Sequence, residues 1–473
     1  MFEVQAIGSP IGATALEQCH AVAPEVGACT FFAGSRALTA EIEWPTGTTC
    51  TGLRLTRLWT GRKRRVVCEH AFHLATPSGT VELPLQSVIG AAPRGREIHR
   101  RAILSNSAIL GLYLADGLGD AVWCSPDRDP DLPCAAVFFN PQGLHNLLLR
   151  TAAAPRWGVT EGCEEASGAW DVRLSSYRVG RRCVARVRRR SDDGAQGLYL
   201  KMFRRLPTPR HVDRLRHLGQ LLPARSGGVV RMPEILDYLP EERLLITVDA
   251  RPASTASHYD SAARAQAAHV LAVLHGVTCE PDERTHTPLD ELETVARWAH
   301  VLPLVRPDAD VPRLQALHAQ LERSLAPSDE QGMTLIHRDF YHTQLLWSHG
   351  EAWLVDLDTL CRGHRELDIA TYSAHAMLDA ALNERLGTTM RDGLGDFLER
   401  YRSYGGVVEM YRLAWYLGCA LARLGSLQLA RGADRSVITP LWDAAEALAA
   451  DPRAAIAARM AKSPPRAAGE GSV

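Results

Sequence analysis

The sequence predicts an α+β fold of two lobes, a small antiparallel-sheet lobe followed by a helical lobe, with a β-rich N-terminal extension in front. Three observations carry this reading. Short apolar alternations separated by turn residues crowd residues 172–248, which is strand patterning. After about residue 250 the apolar spacing changes to a helical period and holds it almost to the end. The length, 473 residues, exceeds what one hydrophobic core usually serves.

The elements follow in order. Residues 1–100 form an extension with runs such as Ala40-Glu41-Ile42-Glu43-Trp44 and Thr80-Val81-Glu82-Leu83, parted by turns at Pro45-Thr46-Gly47 and Pro77-Ser78-Gly79. No chemistry is visible there. Residues 101–250 hold the sheet lobe and the segment before it. Asn140 is placed to cap a short helix through Leu144, Leu147 and Leu148. Strands are predicted around Val172 and Leu174, over 183–187 and 198–203, then a helix over 212–222, then strands over 235–238 and 244–248. Residues 251–461 form the helical lobe. Ser257 or Asp260 caps its first helix, which ends at His275-Gly276. Further helical periods fall at 290–301, 312–325, 366–383, 385–402, 407–430 and 438–450. Strand signals interrupt them only near 345–347 and 353–357. The tail, 462–473, has the composition of a disordered segment.

Composition narrows the function classes. Hydrophobic residues make up 46% and charged residues 23%, which suits a globular protein. The net charge of −1 offers no global field for nucleic acid or an anionic membrane. The eleven cysteines are scattered without a Cys-x-x-Cys pair, as expected of reduced thiols in the cytoplasm. No secretory signal is visible at Met1-Phe2-Glu3-Val4, and the apolar run 413–424 is broken by Arg423 and too short for a bilayer. Of 53 basic residues only Lys63, Lys201 and Lys462 are lysines, so a lysine in a predicted strand invites a question.

The chemistry concentrates between 335 and 358. His337-Arg338-Asp339 is followed by Gln344, five positions after the aspartate, and then by a predicted hairpin ending in Asp356-Leu357-Asp358. Phosphoryl transfer needs a group to accept or orient a hydroxyl proton and oxygen ligands for the metal that neutralises the phosphates. An aspartate and an amide on one loop, with two more carboxylates returned by a hairpin, supply that set.

This array resembles the aminoglycoside phosphotransferase and choline kinase-like superfamily. The family motif runs His-x-Asp, an Asn or Gln five residues later, and an Asp-x-Asp or Asp-x-Glu at a strand end. A Gly-x-x-x-x-Asp stretch follows, matched here by Gly363 and Asp368. The Gln form is similar to maltokinase-like bacterial members. The resemblance spans roughly 105–450 and is sharpest over 335–372. It implies a protein kinase-like bilobal fold, ATP and Mg2+ as cofactors, and a small-molecule hydroxyl as acceptor, with no nucleic-acid or membrane partner. On this resemblance Asp339 is the catalytic base or hydroxyl-orienting residue. Gln344 and Asp356 would hold magnesium, with Asp358 assisting. His337 and Asp368 would brace the loop. Lys201, on a predicted strand, would contact the α- and β-phosphates as a point charge. Gly180 and Arg181 lie where a nucleotide-covering loop is expected, or form a plain hairpin with solvated arginines. Val248 and Asp249 fall at the hinge, where backbone groups would meet adenine.

Three features depart from the family. No glutamate on 208–222 can pair with Lys201, Asp213 being the nearest acid; the nucleotide loop is poor in glycine; and Gln344 replaces the commoner Asn. They admit an alternative, a degenerate kinase-like protein that binds nucleotide or a partner without turnover. A protein kinase fits less well: Asp356-Leu357-Asp358 stands for Asp-Phe-Gly, and no Ala-Pro-Glu segment follows. The arginines at 186 and 188–190 alternate along a strand and are expected on a solvated face. Asp379, Glu384, Asp392, Asp396 and Glu399 would either face a cationic substrate or line solvated helix faces.

Overall fold

The computed structural model describes residues 49–61, 65–76, 79–89, 122–124, 129, 131–157, 159, 170–178, 181–190, 197–205, 207–250, 261–279, 284–305, 309–348, 350–382, 393–430 and 433–461. In the N-terminal region β1 (Thr49–Gly61), β2 (Arg65–Thr76) and β3 (Gly79–Ile89) form an antiparallel meander, and β4 (Val122–Cys124) pairs with β3. These strands are longer than the short runs expected from sequence. A ladder continues across polar residues as long as each backbone group finds a partner. The run 40–44 lies outside the described residues.

The segment before the main sheet packs onto it. Asn140 caps α1 (Pro141–Leu149), its Oδ1 accepting the Gly143 N–H at 3.0 Å. That cap points Leu144, Leu147 and Leu148 into the sheet core. A single turn, α2 (Ala153–Arg156), follows.

The main sheet joins β5 (Trp170–Arg178), β6 (Arg182–Arg189), β7 (Leu198–Phe203), β9 (Ile235–Leu239) and β10 (Leu244–Val248) in the order β5-β6-β7-β10-β9, all antiparallel. β10 is buried along its whole length, which is why it reads as an unbroken apolar run rather than an alternation. Between β7 and β9 the chain forms α3 (Pro209–Arg225), capped by Thr208, and the two-residue β8 (Val230–Arg231). Val212 of α3 packs with Phe203 and Leu245 of the sheet.

The helical lobe comprises α4 (Ser261–His275), α5 (Pro288–Val305), α6 (Val311–Arg323), α7 (Glu366–Leu382), α8 (Leu394–Ser403), α9 (Met410–Ala430), α10 (Arg435–Ala450) and α11 (Pro452–Ala461). α9 runs through its centre, packed by α5, α7 and α10, with Trp415 and Tyr416 fully buried. Burying a large apolar side chain contributes about 1.5–3 kcal/mol, so this helix anchors the lobe.

Two small sheets carry the functional loops. β11 (Thr285–His286), β15 (Cys361–His364) and β12 (Met333–Ile336) form one; β13 (Leu345–Ser348), β14 (Glu351–Leu354) and β8 form the other. The sequence reading anticipated strand only near 345–347 and 353–357. The structure adds β8, β11, β12 and β15, and it adds α11. Strands of two to four residues are too short for periodicity to separate from buried coil. β14 also stops earlier than expected, because Asp356 turns left-handed at φ 56°. Gly363 explains itself here: a Cβ would lie 2.5 Å from Ile336 Cδ1 and 3.1 Å from the His286 carbonyl, so only glycine lets the first small sheet close.

Candidate active site

β12 delivers residues 337–344 to the cleft, and the β13–β14 hairpin returns 355–358 beside them. The loop is held from below by Asp368, near the start of α7 and fully buried. Its Oδ2 accepts the His337 N–H at 2.7 Å and its Oδ1 accepts the Arg338 N–H at 2.6 Å. Arg338 needs such a grip, since its φ of 72° is a left-handed conformation that costs a non-glycine residue on the order of 1–3 kcal/mol. The His337 ring, completely buried, places Nε2 2.9 Å from the Val355 carbonyl and so ties loop to hairpin. Thr359 Oγ1 donates to the His337 carbonyl at 2.8 Å.

A second layer supports Asp368. His275, at the end of α4, has Nε2 3.1 Å from Asp368 Oδ2 and Nδ1 2.8 Å from the Tyr401 hydroxyl. Burial pushes the imidazole below its ordinary range, outweighing the upward pull of Asp368. A neutral ring satisfies both contacts: Nε2–H donates to the carboxylate, and Nδ1 accepts from the tyrosine. His275, a helix end in the sequence reading, lies in the core as a hydrogen-bonded link.

Above this base the carboxylates collect. Asp339 is half-buried, and no described residue bonds its carboxylate. Gln344 is buried and pinned by its backbone: its N–H donates to the Tyr341 carbonyl at 2.9 Å and its carbonyl accepts from Val355 N–H at 3.0 Å. No described residue bonds its side-chain amide, which leaves that oxygen available. Asp356 and Asp358 face the sheet lobe, where two cations meet them. Arg182, the first residue of β6, places a single Nη1 3.2 Å from Asp356 Oδ1 and 2.6 Å from Asp358 Oδ2. Lys201 Nζ stands 3.7 Å from Asp356 and 3.6 Å from Asp358. Burial pushes the Asp356 carboxyl up, yet Lys201 and Arg182 together hold it below the usual carboxylate range. Arg182 is desolvated, which opposes its charge, and the two aspartates more than restore it.

β8 fixes the register between lobes. It continues from α3 and pairs in parallel with β14, Val230 opposite Ala352, and the Ala352 N–H donates to the Val229 carbonyl at 2.7 Å. The hairpin that carries Asp356 is thereby joined to the helix following β7.

The other residues named from sequence fall as follows. Arg181 closes the β5–β6 hairpin, its N–H donating to the Arg178 carbonyl at 2.9 Å; Gly180 lies outside the described residues. Arg178 and Arg181 join Arg182 to make a basic edge within electrostatic reach of Asp356 and Asp339. Val248 and Asp249 end β10 with both N–H groups already used, toward the Glu234 carbonyl at 2.9 Å and the Gly197 carbonyl at 2.8 Å. Neither N–H is free to meet a nucleobase. The Asp249 carboxylate is buried and bonded by Arg186, with Nε at 2.8 Å, and by Arg188 at 3.5 Å. Arg186 therefore fastens the end of β10, while Arg188 reaches the same carboxylate and keeps 41% of its side chain in solvent, as its alternation suggested. Asp213 is exposed and pairs with Arg216, one turn along its own helix, not with Lys201. Asp379 stands 3.3 Å from His342, and Asp396 bonds Arg264 and Arg400; Glu384 and Asp392 lie outside the described residues.

Arg182 was missed from sequence. Its one signal was position, directly after the turn at 179–181, and its type was masked by the arginine-rich background. The carboxylate pair and the amide form an all-oxygen set. Such donors fit a hard divalent ion that fills its remaining positions with water and phosphate oxygens. That one guanidinium nitrogen already bridges both carboxylates shows that they converge on a cation. Among the described residues no group of three or more His, Cys, Asp or Glu side chains is arranged for a metal, so the oxygen set consists of two carboxylates and an amide. No helix among the described residues is long and apolar enough to cross a membrane.

Residues 181–405 match the model of the phosphotransferase enzyme family. Among solved structures, similarity extends to a choline kinase from Cryptosporidium parvum, with 11% identity, 67% of this chain and 96% of that one, and a TM-score of 0.47. A choline/ethanolamine kinase family protein from Mesorhizobium loti gives 14% identity, 66% and 99% coverage, and a TM-score of 0.39. An aminoglycoside-3'-phosphotransferase of type VIII gives 21% identity, 55% and 94% coverage, and a TM-score of 0.37. No curated protein matches the chain.

Proposed function

We propose, from the match of residues 181–405 to the model of the phosphotransferase enzyme family, that the protein transfers the γ-phosphoryl group of ATP to a hydroxyl of a small molecule. The observation that carries this reading is the meeting of the Asp356–Asp358 pair with Lys201 and Arg182, beside Arg178, whose electrostatic reach includes both Asp356 and Asp339. Asp356, Asp358 and the Gln344 amide would hold Mg2+, which when bound neutralises phosphate charge. Lys201 and the arginine edge at 178, 181 and 182 supply fixed positive charge for the phosphate oxygens. Asp339 takes or orients the acceptor proton. Asp368 and His275 keep the loop in the strained conformation that aims it. Catalysis of this kind is positioning plus electrostatic stabilisation.

The acceptor side is polar. Tyr341 stacks on His375 of α7 with ring centroids 4.1 Å apart, and His342 meets Asp379 on the same helix. A hydroxylated small molecule such as an amino-alcohol, sugar or aminoglycoside suits that wall. The thiols Cys134, Cys361 and Cys419 are free, and burial pushes Cys361 up to about 12, which suits a reducing compartment such as the cytoplasm. A thermal-shift titration with ATP and ADP, with and without Mg2+, tests the reading. A magnesium-dependent rise in melting temperature is expected, because a ligand that binds the native state stabilises it by mass action. No shift with any nucleotide would favour a degenerate kinase-like protein that serves a partner.

A further inference from the structure

Asp356 and Asp358 carry two negative charges, and Arg182 and Lys201 balance them with two positive ones. The four side chains are between 18% and 33% exposed, so this balance is partly shielded from water. The two cations are unequal partners. Lys201 stands at 3.6–3.7 Å, beyond a good hydrogen bond, whereas Arg182 bridges both carboxylates with one nitrogen at 2.6 and 3.2 Å. The helix that would supply an acid to restrain Lys201 offers only Asp213, which faces solvent and Arg216.

We propose that Arg182 is a displaceable counter-ion: it occupies the cation position between Asp356 and Asp358 in the nucleotide-free protein and turns to the phosphates when metal and nucleotide enter together. This rests on the phosphotransferase reading above and deepens it. The physical case is charge matching. Without nucleotide the carboxylates are already neutralised, so a divalent ion alone must expel a guanidinium that gives up its bridge to two carboxylates and finds in Asp339 at most a single one. With a triphosphate present the expelled guanidinium gains a better partner, since planar guanidinium donors match phosphate oxygens. Arg182 can do this because its backbone is fixed at the head of β6, beside Arg178 and Arg181 and across the sheet from Phe203. Two consequences follow. The site should take up metal and nucleotide cooperatively, and the cooperativity should reside in Arg182. Lys201, held loosely by the same aspartates, is released by the same exchange.

The test compares the wild type with Arg182→Met and Arg182→Lys in the full-length protein. Mn2+ alone is titrated and free Mn2+ is read by its paramagnetic resonance signal; Mn2+ binding is then repeated with saturating ATP. The wild type should bind Mn2+ weakly alone and much more tightly with ATP. Arg182→Met should bind Mn2+ alone at least about tenfold more tightly than wild type, since a competing charge at contact distance is gone, and should bind ATP with Mn2+ more weakly. Arg182→Lys, which keeps a charge but not the planar guanidinium that suits phosphate, should fall between. A structural defect from losing Arg182 would weaken both kinds of binding and would not strengthen metal binding. If Arg182→Met binds Mn2+ alone no better than wild type, while wild type still binds ATP with Mn2+, the exchange is wrong and the phosphotransferase reading stands. If wild type binds no ATP with Mn2+, both are overturned.

Discussion

The cations of the cleft stand on strands, and its carboxylates stand on loops. Arg182 and Lys201 belong to β6 and β7, where ladder bonds fix each Cα and leave only the side chain to move. Asp339, Asp356 and Asp358 belong to irregular backbone that includes two left-handed residues, Arg338 and Asp356. The second group needs bracing that the first does not, and it receives it from Asp368, His275 and His337, all buried. The same division appears in solvation. The brace is buried and linked by hydrogen bonds from His275 through Asp368 to the His337 and Arg338 N–H groups, while the cation–carboxylate face is partly open. Substitutions in the brace should therefore change stability and geometry, and substitutions on the open face should change ligand binding or turnover.

Asp339→Asn gives the sharpest break between the two. It removes the carboxylate proposed to accept the proton and leaves the brace and the cations in place. Turnover should fall by roughly 10²–10⁴-fold, the usual range for losing a general base, while ATP affinity stays within about twofold. Steady-state kinetics on a responsive acceptor, set beside a binding isotherm, would measure both. Full activity in Asp339→Asn would remove the base assignment.

Asp368→Ala strikes the brace. It strands two backbone N–H groups that now bond a buried carboxylate, and it removes the partner of His275. Chemical denaturation should show a loss of about 2–4 kcal/mol, with turnover falling as well. A variant with wild-type stability but no activity would mean that Asp368 acts in the chemistry and not beneath it.

The brace should also respond to pH, with a smaller effect. His275 and His364 both have pKa values below the ordinary histidine range, burial being the main cause in each. A folded-state value below the unfolded one means the unfolded chain binds more protons in the interval between them. The stability they contribute is therefore complete above the unfolded value near 6.5 and is lost as pH falls below it. The urea midpoint should decline from about pH 7.5 to about pH 5.5, and His275→Gln should flatten part of that decline. A midpoint that rises on acidification would contradict a neutral His275.

Asp213→Ala should do almost nothing. Its carboxylate is exposed and bonded only along its own helix. Stability should stay within about 0.5 kcal/mol and ATP affinity within about twofold, in contrast to Lys201→Ala, which should weaken nucleotide binding clearly. Equal losses in both variants, read by calorimetry, would restore the helix as the lysine's partner.

Much of this arrangement was legible beforehand. The strands of the sheet lobe and most helices of the other lobe followed from periodicity, since each buries one face over many residues. The Asn140 cap followed from residue type. The short strands did not, because β8, β11, β12 and β15 span two to four residues and exist through their partners alone. Backbone groups at the hinge were expected to meet adenine; the Val248 and Asp249 N–H groups bond the Glu234 and Gly197 carbonyls, a pairing that depends on neighbouring strands and not on local sequence. Arginines 186 and 188 were read as solvated because alternation shows which face a side chain takes and not what waits there. Asp249, some sixty positions away, was waiting.

By itself the sequence determined which residue types the cleft contains and their order along the chain: His337, Asp339, Gln344, Asp356, Asp358, Gly363 and Asp368 on one lobe, Lys201 on the other. Local spacing suffices for that, because a loop of fixed length and a hairpin of fixed register bring such residues together wherever they occur. Only the tertiary structure decided the pairing across the cleft. Arg182 reaches Asp356 and Asp358 from more than 170 positions away. Nothing in an arginine-rich sequence marks one guanidinium from another; the packing of β6 against the returning hairpin does, because an ion pair is set by distance in space and not by distance along the chain.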